Sequence, residues 1–130
     1  MSVELNHTIV FCRDKRESAE FLAAVLGLEV GSEWGPFLPV ATANGVTLDF
    51  ADAPGEQVAA QHYAFLVSEA EFDAAFAQIQ KRGIAYFADP HGRLPGEINH
   101  NDGGRGVYFP DPSGHGMEIL TVPYGGFPAA

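Results

Sequence analysis

The chain has 130 residues, 46% of them hydrophobic, which suits one compact domain with its own core. Its 17 acidic and 7 basic residues give a formal net charge of −10 and form no basic stripe, which argues against a nucleic-acid partner. Long apolar runs and a basic-then-apolar leader are absent, so we expect neither a membrane span nor a signal peptide. A single cysteine, Cys12, excludes an internal disulfide and a cysteine-rich zinc cluster, and a cytoplasmic protein is expected.

The first half of the chain predicts a strand, a helix and three further strands. The β-branched segment 3–12 is typical of a buried strand. Asp14, with Glu17 three positions later, can cap a helix that Gly27 can end. The helix carries an apolar stripe at helical spacing, formed by Ala19, Leu22, Ala23 and Leu26. The later strands are predicted at about 28–34, 37–42 and 46–51, with a turn at 43–45.

From residue 60 the same pattern recurs. Segment 60–67 predicts a strand, Ser68 and Glu71 form a capping box, and Gly83 can end the second helix. The helical stripe consists of Phe72, Ala75, Phe76 and Ile79. Further strands are predicted at about 84–87, 106–111 and 116–122. The intervening loop, 88–104, is long and rich in Gly, Pro and polar residues, which is typical of a functional or mobile loop.

Superposing the two halves aligns His7 with His62 and sets Asp49 against Glu118. Each of the two acids follows a glycine by four residues. We therefore predict an α+β fold in one domain, residues 1–130. It comprises a first module at about 1–52, an exposed linker at about 53–59 and a second module at about 60–124. The Gly- and Pro-rich tail, 123–130, could either cross to a partner subunit or fray.

Three polar residues interrupt otherwise apolar strands at matching places: His7, His62 and Glu118. A carboxylate within the run 117–120 would cost several kcal/mol if it were buried without a partner. Taken singly, each residue has an ordinary structural explanation. Together, two imidazoles and one carboxylate supply the ligand set of a facial triad, with open positions for substrate and water or oxygen. We therefore predict a site for a divalent metal, with Fe(II), Mn, Zn and Ni as candidates.

On these residues the chain resembles the vicinal oxygen chelate superfamily. This superfamily includes glyoxalase I, fosfomycin-resistance thiol transferases, bleomycin-binding proteins, methylmalonyl-CoA epimerases and extradiol ring-cleaving dioxygenases. The likeness runs from NHTIVF to DPSGHGMEI, almost the whole chain. It implies paired βαβββ modules curling into an open barrel around a metal held by His7, His62 and Glu118. Asp49 falls at a fourth ligand place, where it could instead line the cavity or face solvent.

The C-terminal segment also resembles the extradiol dioxygenase signature, carried by Ile98-Asn99-His100, Val107-Tyr108, Asp111-Pro112-Ser113-Gly114 and Glu118. This resemblance implies an extradiol-type dioxygenase in which Fe(II) binds a small catechol-like substrate through vicinal oxygens. Tyr108 and His100 are the expected catalytic residues, because both can hydrogen-bond a bound substrate or oxygen. Their ordinary alternatives are a strand aromatic and a solvated loop residue. His115 has no counterpart in the first half and is expected to be structural or exposed.

Two departures keep other functions open. Well-known ring-cleaving enzymes of this type carry four modules, and no histidine between His7 and His62 supplies their acid–base residue, so Asp49 or Tyr63 would have to substitute. The alternatives are a glyoxalase-type lyase or isomerase, or a thiol transferase, using Ni, Zn or Mn, and a non-catalytic small-molecule (antibiotic) binding protein. The resemblance also implies a homodimer. Four aromatic residues could surround an aromatic substrate or form core: Trp34, Phe37, Phe50 and Phe65.

Overall fold

The computed structural model describes residues 2–129 and contains two compact units, the first ending at Ala59 and the second beginning at Ala60. Each unit holds one three-stranded sheet and one long helix, so the predicted α+β class is confirmed. The elements are β1 (His7–Cys12), α1 (Lys15–Leu26), β2 (Leu38–Ala41), β3 (Thr47–Asp52), β4 (His62–Leu66), α2 (Glu69–Lys81), a short 3-10 helix (Asn101–Gly103), β5 (Gly106–Pro110) and β6 (Gly116–Leu120). No helix within residues 2–129 has the length and apolar character needed to cross a membrane.

The two units share one strand order and one register. In the first, β1 pairs with β3 in parallel and β2 pairs with β3 antiparallel; in the second, β4, β6 and β5 repeat this arrangement. Asp49 lies opposite Ile9 in β1, and Glu118 lies opposite Ala64 in β4. The internal duplication read from the sequence is therefore present strand by strand. The curling of the sheets into an open barrel, and the division into modules and linker, stay predictions.

Each sheet buries one of its faces. Strand side chains alternate between faces, and the buried set in the first unit includes Val10, Cys12, Leu48 and Phe50. In the second unit it includes Val107, Phe109, Met117 and Ile119. Burying a side chain of this size contributes roughly 1.5–3 kcal/mol to folding. The opposite face of each sheet carries the polar residues that interrupt the strand pattern.

Helix α1 begins and ends where the sequence predicts. The Asp14 side chain accepts hydrogen bonds from the backbone N–H groups of Arg16 and Glu17, at 3.0 and 3.2 Å. Gly27 ends the helix with φ at 69°, a left-handed conformation that favours glycine. One residue of the apolar stripe differs from the prediction. Leu26 was expected to be buried, but Val25 is buried instead and Leu26 is half-buried.

Helix α2 carries the predicted capping box. The Ser68 hydroxyl accepts from Glu71 N at 3.1 Å, and the Glu71 carboxylate accepts from Ser68 N at 2.8 Å. Three of the four predicted stripe residues are fully buried, namely Phe72, Ala75 and Ile79, while Phe76 is half-buried. The start of α2 is therefore predicted correctly from its capping-box residues.

The predicted strands at 28–34 and 84–87 are wrong, since only isolated bridges form there. Prolines on the facing strands give the physical reason. Gly31 donates to the Pro39 carbonyl at 2.8 Å, but Pro39 has no N–H to donate in return. Phe87 and Tyr108 exchange two bonds of 2.9 Å, and the next position along that edge is Pro110. The ladders stop at these prolines, so each module is βαββ rather than βαβββ.

Candidate metal site in the second unit

Strands β4, β5 and β6 place four polar or open positions on one face of their sheet. His62 lies opposite Gly116, and Glu118 lies opposite both Ala64 and Tyr108. Because side chains alternate along a strand, His62, Tyr108 and Glu118 share one face of the sheet, opposite the face that carries Met117 and Ile119. Glycine at position 116 adds no side chain between the histidine and the acid.

His62 and Glu118 contact each other directly. The Nε2 atom of His62 lies 3.0 Å from Oε1 of Glu118. The Glu118 side chain is only 1% exposed, whereas that of His62 is 50% exposed, so the pair is reached from solvent on the histidine side. The other ring nitrogen, Nδ1, lies 3.0 Å from the Gly116 carbonyl. A carbonyl only accepts, so Nδ1 carries a hydrogen and orients the ring.

This geometry requires a proton or a metal cation between the two side chains. With its hydrogen on Nδ1, a neutral His62 would present a lone pair to the carboxylate, and two acceptors at 3.0 Å repel. A proton or a metal cation at Nε2 removes that repulsion. Imidazole nitrogen and carboxylate oxygen both bind divalent metals at about 2.0–2.2 Å, so two such atoms 3.0 Å apart could share one cation. The spacing and the donor chemistry of His62 and Glu118 therefore fit a divalent metal.

Tyr124 is a residue of this site that sequence reasoning missed. Its hydroxyl donates to the Glu118 carboxylate, at 2.7 Å from Oε1 and 2.6 Å from Oε2. The tail that carries it folds back in a turn closed by a 2.8 Å bond from Gly126 N to the Pro123 carbonyl. The Pro-Tyr-Gly-Gly sequence is typical of a turn, and this was the only indication in the sequence that the tail folds back here. A lone tyrosine without periodic neighbours gave no indication of which carboxylate it would contact.

Tyr108 extends the cluster. Its hydroxyl lies 2.9 Å from that of Tyr124, and its ring stacks on His62 with centroids 6.0 Å apart. Desolvation of its hydroxyl, and the hydrogen bond of that hydroxyl to Glu118, raise the pKa of Tyr124. Burial raises the pKa of Tyr108 as well, with the Glu118 charge adding to that effect. Both phenols therefore stay protonated near neutral pH, and since Tyr124 donates to Glu118, Tyr108 donates to Tyr124.

His100 lies outside this cluster of contacts. It is exposed, and within residues 2–129 no hydrogen bond or ring contact joins it to His62, Tyr108 or Glu118. Its loop is nevertheless fixed to the sheet, because Asn99 and Gly106 exchange backbone bonds of 2.9 and 3.0 Å. Its catalytic role stays a prediction.

His7 and Asp49 belong to the first unit. His7 begins β1, is exposed, and has its Nδ1 atom 2.9 Å from Oδ1 of Asn6. Asp49 is half-buried on β3, two residues beyond Thr47, the strand partner of His7. The same spacing relates Gly116 and Glu118 in the second unit. Within neither unit do residues 2–129 bring together three His, Cys, Asp or Glu side chains in a group that could hold a metal ion.

Other residues singled out in the sequence are structural. His115 is buried, and its Nδ1 atom accepts a hydrogen bond from Gln61 N at 3.0 Å. Asp111 accepts from the backbone of Ser113 and His115, which shapes the turn before β6. Phe50 is core. Trp34, by contrast, is 73% exposed and stacks on Phe37.

The chain belongs to the Glyoxalase/Bleomycin resistance protein/Dioxygenase superfamily, whose family model matches residues 4–119. Among solved structures, it is similar to "Oxidase ChaP-H2" at 60% identity and TM-score 0.94, covering 97% of this chain and 98% of that one. It is similar to "Oxidase ChaP-H1" at 57% identity and TM-score 0.93, with 96% and 100% covered. It is also 26% identical over 125 residues to the glutathione transferase FosA of Serratia marcescens, covering 92% of this chain and 81% of that protein.

Proposed function

We propose that this protein is a metal-dependent oxidoreductase that acts on a small aromatic, catechol-like substrate bound through vicinal oxygens, by extradiol-type dioxygenase chemistry with Fe(II). The observation that carries the proposal is the contact between His62 and the buried carboxylate of Glu118. The two oxidases at 57% and 60% identity support oxidative chemistry over the other reactions of the superfamily.

The proposed metal ligands are His62 and Glu118, with His7 as the third because it holds the matching register position in the first unit. A divalent metal held by these residues would supply a Lewis acid that binds substrate oxygens and dioxygen. The Gly116 carbonyl fixes the tautomer of His62, and such outer contacts orient ligands in metal sites.

The surface beside the pair suits an aromatic ring. On the same face of β4, Ala64 and Leu66 follow His62, and Leu66 is 56% exposed. Tyr108 lies on the other side of Glu118 and presents a phenol hydroxyl. An aromatic ring could therefore pack on Ala64 and Leu66 while its oxygens face His62, Glu118 and Tyr108. Under this proposal Tyr108 binds a substrate oxygen, and His100 donates a hydrogen bond to it from the 88–104 loop.

A homodimer is part of the proposal. The strand β1 exposes Ile9 and Phe11 on the face that also carries His7, and β4 exposes Leu66. Exposed apolar side chains on sheet faces are typical of surfaces covered by a partner. We expect light scattering coupled to gel filtration to give twice the 13.9 kDa mass of the chain. The mass of a single chain would contradict the dimer, whatever the metal content.

The second candidate function is thiol transfer, because the chain is similar to the glutathione transferase FosA over 92% of its length. In that case the same ligand pair would hold Mn, Zn or Ni and would activate an electrophilic substrate rather than oxygen. The nature of the native metal and the use of oxygen separate the two candidates.

The test is elemental analysis of protein purified without air, followed by oxygen uptake with a panel of catechols. One equivalent of iron with substrate-dependent oxygen uptake supports the proposal. Nickel, zinc or manganese without uptake would contradict it and favour the transferase or lyase reactions. The variant His62→Ala should lose both metal and uptake, and His91→Ala, at an exposed loop histidine, serves as the matched control.

A further inference from the structure

We propose that Tyr124 is a positioning residue that holds the Glu118 carboxylate so that its Oε1 atom faces His62. This inference rests on the proposed function, since it concerns the ligands of the proposed metal. The phenol oxygen is within 2.7 Å of both carboxylate oxygens, and the contact to Oε2, at 2.6 Å, is the shorter. The hydroxyl thus spans both oxygens and fixes the plane of the carboxylate, in which Oε1 also lies 3.0 Å from Nε2 of His62.

The tail is built to bring Tyr124 to this place. Thr121 is buried and exchanges two bonds with the Arg105 backbone: Arg105 N donates to its hydroxyl at 2.8 Å, and Thr121 N donates to the Arg105 carbonyl at 2.9 Å. The following turn contains Gly125 and Gly126 with φ of 79° and 88°, values that favour glycine. The tyrosine therefore starts from an anchored point and turns back by a defined backbone.

The two ends of the Tyr124 side chain have different surroundings. Tyr124 is 61% exposed as a residue, yet its hydroxyl contacts a carboxylate that is buried. The ring thus gains little from burial, and its directed contacts are the hydrogen bonds to Glu118 and from Tyr108. Partners that hydrogen-bond a ligating carboxylate fix its orientation, and removing one typically weakens metal binding about 10–100-fold.

The experiment compares Mn²⁺ binding by the parent protein and by the variant Tyr124→Phe, both prepared metal-free. The electron paramagnetic resonance signal of free Mn²⁺ reports the binding. We expect the dissociation constant to rise about 10–100-fold. At saturating protein the spectrum of bound Mn²⁺ should also change, because the carboxylate is no longer held in one orientation. A residue that only stabilised the tail would leave this bound spectrum unchanged. The control Tyr86→Phe, at a half-buried tyrosine whose ring packs on Phe76, should match the parent.

Binding by Tyr124→Phe that equals or exceeds that of the parent would overturn the inference, because Tyr124 would then be neutral or would obstruct the metal. His62→Ala and Glu118→Gln separate this failure from failure of the proposed function. If those two variants lose Mn²⁺ while Tyr124→Phe retains it, only the positioning role is wrong. If all three retain it, the metal site itself is wrong.

Discussion

Tyr108 and Tyr124 meet hydroxyl to hydroxyl at 2.9 Å, although one belongs to a sheet strand and the other to the C-terminal tail. Since Tyr124 directs its hydrogen to Glu118, Tyr108 directs its own hydrogen to Tyr124. The two phenols thus form a hydrogen-bond chain that ends at the accepting carboxylate of Glu118, the proposed metal ligand. A substrate oxygen entering this face would be hydrogen-bonded by Tyr108 in place of Tyr124.

Replacing Tyr108 with Phe should therefore impair turnover without removing the metal. Loss of one hydrogen bond to a charged or developing anionic oxygen corresponds to about a 10–100-fold lower rate. The measurement is substrate-dependent oxygen uptake per bound iron. Tyr108→Phe with an unchanged rate per iron would show that the hydroxyl has no part in the reaction.

Substitution of Gly104 tests how closely this residue packs against Thr121 and Val122, which precede the C-terminal tail. A Cβ at this position would lie 2.6 Å from Thr121 Oγ1 and 2.6 Å from Val122 Cγ2. Overpacking of this kind typically costs about 1–3 kcal/mol, so Gly104→Ala should lower the free energy of unfolding in urea by that amount. The control is Gly55→Ala, where an added Cβ meets nothing within 4 Å. Equal stabilities of the two variants would contradict the packing described for residues 104, 121 and 122.

Asp89 gives a prediction for acid pH. Burial raises the pKa of this carboxyl, but hydrogen bonds from the backbone N–H groups of Arg93, Leu94 and His91 outweigh it and lower the pKa below 3.8. A depressed pKa stabilises the folded loop above the unfolded value, and that stabilisation is lost as pH falls through the folded pKa. Amide exchange in the 88–104 loop should therefore accelerate, relative to its intrinsic rate, as the pH falls below about 4.

The variant Asp89→Asn should remove most of this acid dependence, because its side chain does not titrate. Exchange at Phe72 and Ile79, which are buried in α2, provides the internal reference. A loop whose protection in the parent is constant from pH 5 to about pH 2 would contradict the role of Asp89.

The fold was largely predictable from local signals. Asp14 and Ser68 mark the helix starts because their short polar side chains accept orphan backbone N–H groups. The apolar runs between turn residues, and the matching residues of the two halves, located the strands and their equivalence. The predicted strands near residues 28–34 and 84–87 failed because pairing depends on the facing strand, and Pro39 and Pro110 limit it there.

The candidate site was predictable only in part. A glutamate in an apolar strand required a partner, and the duplication indicated His62, which lies 3.0 Å away. The role of Tyr124 was not predictable. Its contact with Glu118, six residues earlier, depends on how the tail folds back, and the tail has no periodic pattern of apolar residues that would predict this path. His100, expected near the substrate from its motif, is exposed on a loop whose neighbour Asn99 is paired to Gly106.

Pulsed electron paramagnetic resonance of Mn²⁺-loaded protein can show whether an imidazole and a buried acid from parallel strands hold one cation. We expect hyperfine coupling to imidazole nitrogen that is reduced in His62→Ala and preserved in His91→Ala. Tightly bound Mn²⁺ with identical nitrogen coupling in the parent and in His62→Ala would contradict it.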